Sequence, residues 1–289
     1  MFVATDLHGH TLFSDGRATP EEYVEFRHRI GMKAIAIADH DLLAGVRRGA
    51  AAAKTCGMFF IPAVEVTTFL HFGESNAEQF HVLAYYTSRV LEGSQLENTF
   101  LYKRGQRVQA KWKELVLEWL HKLPVDQQRA LDPDGELDGM HPARFPALQS
   151  MIRLIVARAR PLFEAFRDNH VRFWEEDREL FGWTPEEAIE AIRADGATDV
   201  VAHPTRYRDK ERTDKVLDLA TGIEVYTSRH KPEIAAQFRA RAEAKRKYWT
   251  SSSDDHQNAK YVRPPCGTPV TTLERILRQT MPMSVILAA

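Results

Sequence analysis

FVATDLHGHTLFSDGRATPEEYVEFRHRIGMKAIAIADHD, residues 2–41, reads as one complete strand–helix–strand unit. FVATDLH is a short apolar run of strand character. Thr19-Pro20-Glu21-Glu22 then opens a helix with an N-cap, a proline at its first position and an acidic first turn. Gly31 ends that helix, and KAIAIADHD follows as a second, buried strand. Both strands run out into chemically active side chains. His8 and His10, with Asp15 beyond them, follow the first; Asp39-His40-Asp41 follows the second.

The alternation continues outward from this unit. Ala44 to Thr55 is predicted helical and closed by Gly57, MFFIPAVEVTTF (58–69) is a third strand, and EQFHVLAYY (78–86) is a fourth. From about Leu91 to Phe181 the period changes. KRGQRVQAKWKELVLEWLHKL (103–123) and the stretch from Pro146 to Phe181 are long, charged and helical, with turn-rich DQQRALDPDGELDGMHP (126–142) between them. Alternation then resumes with TPEEAIEAIRADG, TDVVAHP, TDKVLDLATG, GIEVYTS, PEIAAQFRARAEAKRK and YWTSSSDDH. The expectation is an α/β chain with a parallel sheet, open or closed into a barrel, formed by residues 1–90 and 182–289. Residues 91–181 are predicted to form an all-helical insertion.

Composition narrows the function classes. Of 289 residues, 44% are hydrophobic and 27% charged, which is globular rather than disordered. A formal net charge of −1 argues against a generally basic nucleic-acid binder. Cys56 and Cys266 are too few for a disulfide framework or a thiolate cluster. No signal peptide is visible at MFVATDLH, and no apolar run approaches the roughly 20 residues a bilayer requires. The expected location is cytoplasmic, with no membrane and no obligate protein partner.

Polar residues cluster at the predicted strand ends. Besides those already named, Glu65 lies towards the end of the third strand, His81 in the fourth, His203 after VVA, and Asp254 and His256 after the last. Each has a bland reading alone: H-x-H is usually a turn or surface pair, DDH can cap a helix, and a lone Glu can make a strand-end salt bridge. In parallel α/β folds, however, the carboxyl ends of the strands share one rim. Nine such residues on one rim read as a metal site. Imidazole and carboxylate without thiolate suit Mn²⁺, Fe²⁺ or Zn²⁺. Six His and three acids exceed the needs of one ion, so two or three are implied.

The ordered set H-x-H-x4-D, DHD, strand-end E, lone H, AHP and S-x-D-x-H resembles the PHP (polymerase and histidinol phosphatase) family over roughly residues 1–87 and 184–280. AHPTRY (202–207) followed by GIEVYTS (222–228) is most similar to its branch of nucleotide 3′,5′-bisphosphate phosphatases and short-RNA 5′→3′ exoribonucleases. The resemblance implies a distorted (β/α)7 barrel with a helical insertion after the fourth strand. It implies one ion on His8, His10, Glu65 and Asp254, a second on Glu65, His81 and His203, and a third on Asp15, His40 and His256, with manganese favoured. GMHPARF (139–145), with His141 and Arg144, is the nearest counterpart of the family's substrate-contacting insertion segment. Asp255 is expected to add negative charge beside the ions.

The expected chemistry is metal-assisted hydrolysis of a phosphate monoester of a small metabolite, a nucleotide foremost, with Asp15, His40, Glu65 and Asp254 as catalytic ligands. Arg206 is placed to grip a phosphate oxygen, or is a surface residue of RYRDKER. Ser228, Arg229 and His230 could bind phosphate or protonate the leaving group, or merely cap the next helix. One of Asp39 and Asp41 is expected to orient an imidazole, the other to form a salt bridge. Lys103, Arg104, Arg107, Lys111, Lys113, Arg153, Arg158 and Arg160, with Trp112 and Trp119, read either as a solvated helix face over a core or as a substrate lid that stacks bases. Short RNA, histidinol phosphate and a non-catalytic module are the competing readings.

Overall fold

The computed structural model describes residues 1–259 and 267–287. Seven strands form one sheet in sequential order: β1 (Thr5–Asp6), β2 (Ala34–Ile37), β3 (Phe59–Leu70), β4 (Glu78–Tyr85), β5 (Thr198–Val201), β6 (Gly222–Tyr226) and β7 (Tyr248–Ser251). The sheet curls back on itself. The Leu7 amide donates to Ser251 O at 3.3 Å, the Asp254 amide to His8 O at 2.8 Å and the His10 amide to Asp255 O at 3.0 Å, with Gly9 and Asp255 paired across the seam. A nearly closed seven-stranded barrel results.

One expectation is corrected. The sheet is not wholly parallel: β4 pairs antiparallel with both β3 and β5, while the other neighbours are parallel. A parallel return needs a crossover of a dozen or more residues. Only residues 71–77 separate β3 from β4, so the chain must turn back as a hairpin. His81 therefore reaches the rim from the first half of its strand, not from its carboxyl end.

Local signals place the helices. Helices Pro20–Arg29 and Pro185–Ala194 each begin with a capping box, Thr19 with Glu22 and Thr184 with Glu187, and each has proline in its first turn. FVATDLH divides: Phe2–Val3 pairs with Thr268–Pro269 and Ile286–Leu287 in a small antiparallel sheet, and only Thr5–Asp6 joins the barrel. Helix Val270–Leu277 packs Val270, Leu273, Ile276 and Leu277 among inward residues of the barrel such as Ala36, Ala63 and Val200.

Between β4 and β5 the described elements from Ser88 to Phe181 are all helical. They gather a second apolar core around Trp112, Val116, Trp119, Leu131, Ile155 and Phe166. Trp112 and Trp119 are 3% and 7% exposed and are turned to this core, as the helix-face reading expects. Helix Phe100–His121 is seated directly on the barrel rim. Buried Arg104 donates to Asp41 Oδ1 at 2.7 Å and Leu180 O at 2.8 Å, and its guanidinium lies 4.1 Å from the Trp183 ring centroid. Gly105 permits this approach, since a Cβ there would lie 2.0 Å from Asp41 O. A Gly105→Ala chain is accordingly expected to lose about 1–3 kcal/mol of stability by overpacking. A thermal or urea melt checks this; an unchanged midpoint would show that the helix can lift without cost.

Candidate metal centre

The rim brings together all nine residues singled out in the sequence. Glu65, wholly buried on β3, is the hub. Its Oε2 lies 3.2 Å from His8 Nε2, 3.3 Å from His10 Nε2 and 3.1 Å from His40 Nδ1. Its Oε1 lies 3.0 Å from both His81 Nδ1 and His203 Nε2. Asp254 Oδ1 approaches His10 Nε2 at 3.3 Å and His8 Nε2 at 3.7 Å. Asp15 Oδ2 faces His256 Nε2 at 3.3 Å and His40 Nε2 at 3.7 Å. The two oxygens of one carboxylate thus look toward two different groups of imidazoles.

These residues fit a metal ion. His8 Nε2, His10 Nε2, His40 Nδ1 and Glu65 Oε2 are buried and make no hydrogen bond among the described residues. Such orphaned atoms are rare and call for an explanation. Donors about 2.1 Å from a common ion sit about 3.0–3.4 Å apart, which is the spacing around Glu65 Oε2. Two further sets, His10–Asp15–His40–His256 and His40–Glu65–His81, each bring one donor atom per residue within 4.8 Å of the rest. The far nitrogens of several rings are anchored, as ligating imidazoles require. His8 Nδ1 is 2.9 Å from Glu224 Oε1, His10 Nδ1 is 3.4 Å from Ser14 Oγ, and His256 Nδ1 is 3.1 Å from Asp254 O.

Glu224 was not anticipated from the sequence. It is fully buried on β6, holds His8, and accepts the His203 amide at 2.6 Å and the Ser252 hydroxyl. The available signal was an acid inside the apolar strand GIEVY. Of the Asp39/Asp41 expectation only the salt bridge is found, and neither carboxylate bonds an imidazole directly among the described residues. Asp41 makes the salt bridge, to Arg104, and also accepts the Thr67 amide. Asp39 accepts from Thr11 N, Thr11 Oγ1 and Ser14 Oγ at 2.5–2.7 Å, so it reaches an imidazole only through Ser14, and that ring is His10.

The cluster forms the floor of a cavity of about 360 Å³, lined there by Asp15, His40, His81 and His256. Arg153, Arg206 and Arg229 line its walls, and Val108, Trp112, Leu148 and Trp174 of the helical segment line its roof. Arg153 Nη2 donates to Asp15 O at 3.0 Å, and Arg229 Nε to Asp254 Oδ2 at 2.5 Å. The side chain of Arg206 has no hydrogen-bond or ion-pair partner among the described residues. Arg153, nine residues further along, lines the wall, whereas Arg144, in the nearest counterpart of the family's insertion segment, is exposed on a short 3₁₀ turn. Two expectations, for Ser228 and His230, fail here. Ser228 is exposed and does not line the cavity. His230 is turned away, its Nδ1 donating to Val225 O at 2.7 Å and its ring stacked on Phe238.

The electrostatics follow from burial against charge. Burial opposes ionisation of Glu65 and Asp254, but His8, His81 and His40 around the first, and His10, His8 and His203 around the second, hold both well below the usual carboxylate range. Burial would lower His10, yet Asp15, Asp254 and Glu65 outweigh it and push it up to about 9. At His40, His81 and His203 burial prevails and the pKa falls.

The PHP domain model matches residues 6–172. The chain belongs to the PHP family. Among curated proteins, this PHP chain is 25% identical over 284 residues to the 5′-3′ exoribonuclease Rnm of Escherichia coli, covering 90% of this chain and 87% of that one. It is 26% identical over 267 residues to the 3′,5′-nucleoside bisphosphate phosphatase of Chromobacterium violaceum, covering 87% and 86%. Among solved structures, a candidate metal-dependent phosphoesterase from Bifidobacterium adolescentis superposes with a TM-score of 0.62 at 24% identity, covering 97% of each chain, which shows the PHP-type fold.

A pH effect follows. His10 holds its proton in the metal-free chain up to about pH 9, and the stability this contributes is complete below the ordinary imidazole value of 6.5 and is lost as pH rises from there to about 9. Metal must displace that proton. Mn²⁺ affinity is therefore expected to rise with pH toward 9, with net proton release at pH 7.5. Titration calorimetry in buffers of different ionisation enthalpy measures both; buffer-independent heats would refute the displacement.

Proposed function

We propose that this chain is a metal-dependent phosphoesterase that hydrolyses a phosphate monoester of a small nucleotide, such as a 3′,5′-bisphosphate. The observation that carries the reading is the set of orphaned buried donors around Glu65 at the floor of an arginine-walled cavity. His8, His10, Glu65 and Asp254 would hold one ion, Glu65, His81 and His203 a second, and Asp15, His40 and His256 a third. Manganese is the favoured metal, and iron and zinc suit the same donors. Bound ions supply hydroxide from water at neutral pH and offset charge on the phosphoryl oxygens.

The chain's own residues supply position. Glu224 fixes the tautomer of His8 by accepting from Nδ1, leaving Nε2 to face Glu65. Arg206, which faces the cavity and has no side-chain partner among the described residues, grips a phosphate oxygen through its planar fork. Arg229 steadies Asp254 through Nε and keeps its terminal nitrogens for substrate. Arg153 closes the opposite wall, and the helical segment forms a lid whose Trp112 and Trp174 bound the space left for a base. The volume lies within the range of small-ligand pockets.

The E. coli relative's name favours a second reading, a 5′→3′ exoribonuclease on short RNA. Phosphate release from nucleoside monophosphates, 3′,5′-bisphosphates, histidinol phosphate and short RNA by the Mn²⁺-loaded protein separates the readings. Release from the bisphosphate supports the proposal. A ladder of mononucleotides with steeply salt-dependent binding supports the alternative, and inactivity on the whole panel supports a non-catalytic module. Asp254→Ala and His10→Ala are each expected to abolish turnover. Arg206→Ala is expected to lower kcat/KM about 10- to 100-fold with metal content unchanged; near-normal kcat/KM would remove its phosphate role.

A further inference from the structure

Arg27 has no place in the chemistry above, yet it is wholly buried on helix Pro20–Arg29 directly behind the metal centre. Its Nε donates to Asp6 Oδ2 at 3.0 Å, its Nη2 to Asp255 Oδ2 at 2.9 Å and its Nη1 to Asn258 Oδ1 at 2.5 Å. Its guanidinium lies 3.7 Å from the Tyr23 ring centroid. Tyr23 in turn presses on Gly9, where a Cβ would come within 2.3 Å of the phenolic oxygen.

The positions of those partners matter. Gly9 lies between His8 and His10, and Asp255 lies between Asp254 and His256. Gly9 and Asp255 are paired where the barrel closes. Asp255 turns its carboxylate away from the ligand cluster, onto Arg27, and accepts the amides of Gln257 and Ala259 at 2.8 Å each. Asp6 secures the same turn by accepting the Ser253 amide at 2.8 Å. The expected negative charge beside the ions is thereby neutralised at their back. One buried guanidinium and the ring under it brace two segments that carry four of the nine candidate ligands.

We infer that Arg27, stacked on Tyr23, is a positioning residue that sets the metal affinity of the centre by locking the Gly9–Asp255 seam. The inference rests on the metal-site reading proposed above. A lysine keeps the charge but not the fork that spans Asp6, Asp255 and Asn258. Supporting contacts behind metal ligands are typically worth 10- to 100-fold in affinity.

The test is Mn²⁺ binding by calorimetry, without substrate, to wild type, Arg27→Lys and Asp255→Asn, with circular dichroism to establish folding. A folded Arg27→Lys chain is expected to bind Mn²⁺ about 10- to 100-fold more weakly, and its turnover to approach the wild-type kcat when Mn²⁺ is raised to saturation. A folded Arg27→Lys chain with wild-type affinity overturns the inference, as does weakened binding in which kcat stays low at saturation. Should Arg27→Lys not fold, Asp255→Asn decides, because it removes the ion pair while keeping an acceptor for the Gln257 amide: weaker binding supports the inference and unchanged binding overturns it. Wild type that binds none of Mn²⁺, Fe²⁺ and Zn²⁺ would instead remove the metal reading itself, and the inference with it.

Discussion

A carboxylate with no solvent exposure, ringed by five imidazoles, is the constraint on which this structure turns. Burying Glu65 would be costly unless its charge were met at close range. Its neighbours meet it from β1, β2, β4 and β5, at 3.0–3.3 Å. Without ions, protons held on His8 and His10, the two imidazoles whose pKa is raised, help to strike the balance. Divalent ions at the same place would neutralise the same charge and satisfy the nitrogens that have no hydrogen bond.

The architecture is what makes that meeting possible. A sheet that closes on itself turns residues distant in sequence into neighbours around one rim. Long β3 carries Glu65 to that rim and continues past it into the hairpin, so that β4 returns with His81 beside it. The strand-to-loop transitions are tight there, and Asp41, His203 and Asp254 all adopt positive φ, of 54°, 27° and 51°. Such conformations persist only where surrounding contacts hold them. Asp41 is held by Arg104, His203 by Glu224 and Asp254 by Arg229.

Much of this was legible in the sequence, because the signals are local. Capping boxes announce helices, and ligand residues directly after apolar runs announce a rim. What escaped depends on relations between segments. The direction of β4 was readable only by measuring the residue 71–77 connection against the length a crossover needs. Glu224 looked like one acid in a strand, and its importance came from lying under His8. Arg153 was one cation among many on charged helices, until packing of the helical core turned it alone toward Asp15. His230 and Ser228 follow β6 as closely as Arg229 does, yet the turn after Thr227 aims only Arg229 at the cavity. Asp255 stands between two ligand positions and faces the other way, a reversal explained by the buried Arg27 and by the Gln257 and Ala259 amides.

The measurement that bears most directly on this account is the manganese content of wild type and of Glu65→Gln after loading and removal of free metal. If Glu65 joins two groups of imidazoles through bound ions, wild type retains two or more per chain, and the amide variant retains fewer while remaining folded. Equal content in the two proteins, or at most one ion in wild type, would contradict it.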